Sequence, residues 1–234
     1  MLACDWGLVR LYHNHQGQLR DTTPDRVLDS GSGNWSGLHA GDFDGDGRLD
    51  LVVGNWGLNS YYHATPQFPF RLYFGDLAGP GVVDLIESSY EATLGRWVPD
   101  RDLTSMARQF PWLREKFPGH RIYGRAGVDD LLKHVANPAQ LIAITELRSM
   151  IFLNRGDRFE PLPLPDEAQL APVFGVDVAD FDLDGHLDLF LAQNFFAVST
   201  ALSRQDAGRG LLLLGDGTGR FHPVPGTRSG ITVY

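Results

Sequence analysis

The chain has 234 residues, with 20 Lys and Arg against 29 Asp and Glu, a formal net charge of −9. That balance excludes a nucleic-acid binder, which needs a basic surface, and no apolar run is long enough to span a bilayer as a helix. With 27 Gly and 14 Pro the composition is that of a turn-dense β-protein, and a single cysteine, Cys4, allows no intrachain disulfide.

The start, Met1-Leu2-Ala3-Cys4, looks like the end of a bacterial lipoprotein signal, but no basic or long apolar region precedes it. Chance or a truncated start is the better reading. Val9-Arg10-Leu11-Tyr12-His13-Asn14-His15-Gln16-Gly17-Gln18-Leu19 reads as a weak β-hairpin. Next comes Gly41-Asp42-Phe43-Asp44-Gly45-Asp46-Gly47-Arg48-Leu49-Asp50-Leu51, with carboxylates at positions 1, 3, 5 and 9 of a short loop and Gly at position 6. Four anions that close repel one another unless a cation sits among them. An all-oxygen ligand set with a sharp Gly turn suits Ca²⁺. The following Leu49-Asp50-Leu51-Val52-Val53 reads as a buried strand.

Just beyond lie Asn55, Trp56 and Asn59, in a stretch ending Tyr61-Tyr62, and these are the candidate ligand-binding residues. Aromatics and amides suit a glycan or a peptide. In the competing and favoured reading, Trp56 packs between sheets and the amides satisfy turn backbone. Residues 75–86 keep the first and last Asp of the loop, Asp76 and Asp84, but carry Ala78 and Pro80 at ligand positions. This third copy is expected to keep the backbone path and hold no ion. From about residue 99 to 138 the apolar spacing turns helical, with Pro111 suited to the first turn of a new helix. Residues 150–159 and 211–221 each read as a hairpin closing on an aromatic, so Gly215-Asp216-Gly217-Thr218-Gly219 is a turn rather than a phosphate loop.

Between those hairpins stands a second complete loop, Ala179-Asp180-Phe181-Asp182-Leu183-Asp184-Gly185-His186-Leu187-Asp188-Leu189, starting 138 residues after the first. Such a recurrence marks a repeat protein. An EF-hand would need Glu at position 12, where Val53 and Leu191 stand, and flanking helices rather than strands. A D-x-D-x-D-G-x-x-D loop feeding a strand resembles the FG-GAP/VCBS repeat, the calcium loop of integrin-α-type β-propellers.

That resemblance implies an all-β propeller of four-stranded antiparallel blades, each made of a hairpin followed by a calcium-loop hairpin. It spans residues 1–234, broken by a helical insert at about 99–138 of the sort found in bacterial members. The length suits about three to four blades of a seven-bladed ring, with the remainder in a longer chain or another subunit. The implied ligands are Asp42, Asp44, Asp46, the Arg48 carbonyl and Asp50 for one ion. For the other they are Asp180, Asp182, Asp184, the His186 carbonyl and Asp188. Two bound Ca²⁺ would offset four of the negative charges.

No catalytic constellation stands out. There is no Walker A sequence or H-E-x-x-H, and in Gly33-Asn34-Trp35-Ser36-Gly37 the Ser falls one place late for a nucleophile elbow. The expected function is a non-catalytic calcium-binding module for recognition or adhesion, with a glycan or protein ligand. The alternatives are the propeller domain of a polysaccharide-degrading enzyme and a purely structural module of a surface protein. An extracellular, periplasmic or cell-surface location follows, because modules of this type fill only at ~10⁻⁴–10⁻³ M calcium.

Overall fold

The computed structural model describes residues 1–23, 27–28 (backbone only), 31–198 and 203–231. The chain is mostly β and divides into two compact units, one of Met1–Tyr61 with Glu146–Tyr234 and one of Tyr62–Thr145. Among the described residues no helix is long and apolar enough to cross a membrane.

The first unit opens with a two-stranded ribbon, β1 (Tyr12–His15) and β2 (Gln18–Asp21), at the expected hairpin. β3 (Val27–Leu28), β4 (Leu38–Gly41) and β5 (Asp50–Val53) follow. After residue 145 come β10 (Met150–Asn154), β11 (Arg158–Pro163), β12 (Val173–Ala179), β13 (Asp188–Gln193), β14 (Leu211–Gly215) and β15 (Phe221–Val224). One sheet runs β4-β5-β10-β11 with all neighbours antiparallel, and β3 adds parallel to β11 at its edge. The other runs β12-β13-β14-β15, again antiparallel throughout. Each is a blade-like sheet of four strands.

The order inside a blade corrects the sequence reading. In the first unit each loop hairpin pairs in its sheet with a hairpin later in the chain, not with the one before. The first blade is also split: β5 and β10 are neighbours although 96 residues separate Val53 from Met150, because the second unit is inserted between them. Sequence periodicity reports local strands but not which strand returns to pair, so this arrangement was invisible in the chain.

Both faces of the first blade are covered. Val52, Ile151 and Leu153 pack with Leu189, Leu191, Leu213 and Phe221 of the second blade. Leu51, Val53, Met150 and Phe152 face Val9, Leu11 and Trp35 on the other side. This explains why β5 is buried at every position and reads as a continuous apolar run rather than an alternating one.

The second unit holds β6 (Phe70–Gly75), β7 (Asp84–Glu91), β8 (Arg96–Pro99) and β9 (Gln140–Ile144) in the order β8-β7-β6-β9. Between β8 and β9 run α1 (Leu103–Gln109), α2 (Leu113–Lys116), α3 (His120–Tyr123) and α4 (Val128–Leu132), inside the expected helical stretch. Asp102 caps α1 by accepting from the backbone N–H groups of Thr104 and Ser105. Pro111 sits just before α2, whose N-cap is Trp112. Met106, Phe110, Leu113 and Leu131 pack onto Tyr73, Leu77 and Ile86 of the sheet.

Candidate metal centre

All three loops leave and re-enter their sheets in one register. Gly41 pairs with Asp50, Gly75 with Asp84 and Ala179 with Asp188, so eight residues are spanned each time. The position-9 carboxylate is buried at the foot of the loop in every copy. Asp50 accepts from the N–H of Phe43 at 2.9 Å and of Asn154 at 2.7 Å. Asp188 accepts from Phe181 at 2.7 Å and Gly215 at 2.8 Å. The position-1 carboxylate turns the loop: Asp42 accepts from Asp46 and Gly47, and Asp180 from Asp184 and Gly185.

The fold brings Asp42, Asp44 and Asp50 together with one carboxylate oxygen each, all within 4.8 Å of one another, and does the same for Asp180, Asp182 and Asp188. Either group could hold a metal ion, and hard oxygen donors at this spacing are compatible with Ca²⁺. Asp46 and Asp184 fall outside these groups. Each accepts from the position-7 backbone N–H, Arg48 or His186, and Asp46 is also ion-paired with the Arg48 side chain.

The donor sets fit a cation at the first loop for a second reason. The Asp44 side chain is only 8% exposed, and its Oδ1 has no hydrogen-bond partner among the described residues. A buried carboxylate oxygen without a partner is costly unless something positive reaches it. The electrostatics agree. Burial pushes the Asp50 carboxyl above the ordinary carboxylate range, its two backbone donors pull it back, and Asp44 and Asp46 push it up again.

The third loop answers the same problem with amides. Asp84 Oδ1 accepts from Gln109 Nε2 at 2.9 Å, and Asp76 Oδ2 from Asn137 Nδ2 at 3.1 Å. Gln109 closes α1, and Asn137 lies between α4 and β9. The helical stretch therefore supplies two neutral donors to the loop that lacks position-3 and position-5 carboxylates.

Of the candidate ligand-binding residues, Asn55 is buried, and its amide satisfies backbone groups as the favoured reading expects. Its Oδ1 accepts from the N–H of Asn34 and Trp56, and its Nδ2 donates to the Glu146 carbonyl. Its own N–H donates to Ser149 Oγ, and the Ser149 N–H donates to Gln169 Oε1, so a buried polar network ties these segments together. Asn59 is exposed and donates to the Leu170 carbonyl at 3.0 Å. Trp56 is half-buried against Phe195 (centroids 5.2 Å), which in turn meets the exposed Phe174 at 5.9 Å. Sequence reading missed Arg155, Gln109, Asn137, Phe174 and Phe195. Only Arg155 had a legible signal, as the first turn residue of a hairpin whose twin carries Asp216.

Fold and loops together define a protein built of blade-like sheets with acid-lined hairpins. Residues 1–53, from the first residue given through the first loop to the end of β5, are similar to the FG-GAP-like repeat. No curated protein matches the chain.

Proposed function

We propose that this protein is a calcium-dependent recognition module, working outside the cytosol and without catalysis of its own. The observation that carries this is the pair of three-carboxylate groups built in one register, each footed by a buried Asp clamped between two backbone N–H groups. A divalent cation there fastens the loop hairpin to its neighbour, since Asn154 and Gly215 belong to the next hairpin of each sheet. Asp46, the Arg48 carbonyl, Asp184 and the His186 carbonyl complete the proposed ligand sets. The ion is structural, and its filling at millimolar calcium suits an extracellular or periplasmic setting. The aromatic group of the exposed Phe174 with the half-buried Trp56 and Phe195 is the proposed contact for a glycan or protein ligand, because rings offer flat apolar area at small entropic cost.

Calorimetric titration with calcium should give two ions per chain, and Asp44→Asn or Asp182→Asn should each remove one. EDTA should lower the thermal midpoint, because only the folded loop is a good cage. No uptake at millimolar calcium would overturn the metal reading. A glycan array probed with wild type and Phe174→Ala, with and without calcium, tests the ligand surface.

A further inference from the structure

The two acid-lined loops match in backbone but not in countercharge. Asn154 and Gly215 are equivalent, since each donates its N–H to the Oδ1 of the buried position-9 Asp. The next residue is therefore Arg155 in the first blade and Asp216 in the second. Arg155 Nη1 lies 2.5 Å from Asp44 Oδ2 and 4.0 Å from Asp46 Oδ2, while its Nε holds Glu160 at 2.8 Å. Arg48 pairs with Asp46 as well. The first loop thus sets two arginines against its four aspartates. At the second, among the described residues, no Lys, Arg or His stands within ion-pair distance of Asp180, Asp182, Asp184 or Asp188. Asp216 accepts from Thr218 in its own turn and adds a further negative charge to that hairpin.

From this contrast we infer that the loops are unequal cation sites and that Arg155 sets the difference. The second loop is the tight site whose closure depends on a cation, and the first is a weaker site already half-neutralised from within. The inference rests on the calcium reading above. A guanidinium touching Asp44 Oδ2 repels a divalent ion arriving at Oδ1 of the same carboxylate, and removes part of the repulsion that would otherwise open the empty loop. The greater exposure of Asp182 works the other way by screening its charge, but screening weakens an attraction whereas Arg155 cancels one.

Calcium chloride titrated into the full chain should show two steps at least about tenfold apart in affinity. Asp182→Asn should remove the tighter step and Asp44→Asn the weaker. Arg155→Met should tighten the weaker step by about tenfold. Arg155→Lys, which keeps the charge without the fork, should leave it near wild type. In EDTA, Arg155→Met should unfold at a lower temperature than wild type yet gain more from added calcium, where a merely structural role would lower both values. The reciprocal change Asp216→Arg, in an exposed turn, should weaken the tighter step and keeps the idea testable if Arg155→Met does not fold. Two equal steps, a tighter step assigned to the first loop, or an Arg155→Met variant that binds no better would overturn the inequality alone. No uptake at all would remove the calcium reading, and this inference with it.

Discussion

Position 4 of the two complete loops is occupied by Gly45 at φ +72° and by Leu183 at φ +63°, both left-handed. Glycine adopts that region freely, whereas a leucine Cβ crowds the following carbonyl at a cost of about 1–2 kcal/mol. Leu183 is 86% exposed, so its side chain offsets little of this by burial. Replacing it with glycine relieves the strain but loosens the unfolded chain, leaving a net gain of about 0.5–1 kcal/mol. Chemical denaturation of Leu183→Gly in EDTA should show that gain, and a loss would mean the side chain makes contacts that hold the loop.

Asp100 is the other residue under stress. Burial pushes its carboxyl to about 6, the Ser89 hydroxyl pulling against this and Glu87 adding to it, and its Oδ2 lacks a partner among the described residues. Because the folded value lies above the unfolded one, its contribution to stability is present below about pH 4 and lost as pH rises through 6. Asp100→Asn should therefore stabilise the protein by about 1–3 kcal/mol at pH 7–8 and be neutral near pH 4. Denaturation curves of the pair across that range decide it, and a gain that does not vary with pH would refute the charge argument.

At the scale of elements, three hairpins of one register hold their acids in three ways. The loop between β6 and β7 is the informative one, because α1 delivers Gln109 to the buried Asp84. Gln109→Ala would leave a buried carboxylate oxygen without its donor, costing about 1–3 kcal/mol. Calcium should not restore the loss, since Ala78 and Pro80 offer no carboxylate where the complete loops have two. For the same reason Asp76→Ala should leave the calcium stoichiometry unchanged. An ion lost with Asp76, or calcium rescue of Gln109→Ala, would show that this loop still binds metal.

At the scale of the whole molecule, both complete loops belong to the first unit and the amide-closed loop to the second. Hydrogen exchange should respond accordingly. Calcium removal should speed exchange over residues 42–53 and 180–193 and leave residues 70–91 unchanged. Equal acceleration in both units would contradict the assignment of the ions to the first.

The acid-lined loops, the strands that follow them, the turn at residues 216–219 and the helical stretch were all legible in the chain. Each is written in local spacing: carboxylates at alternate positions, apolar runs of strand length, glycine where the backbone must turn left-handed. What local spacing cannot state is which distant segment returns to pair. Only the fold shows that β10 closes the blade begun by β4 and β5 across an inserted unit. The same limit applies to single side chains. That the Asn55 amide satisfies backbone is legible in the chain, but not that its partners include the distant Asn34 and Glu146. Arg155 looked like a turn residue, yet across 111 positions it meets Asp44. Sequence fixes the chemistry available at a loop. The charge that chemistry finally faces is set by the residues that long-range strand pairing brings beside it.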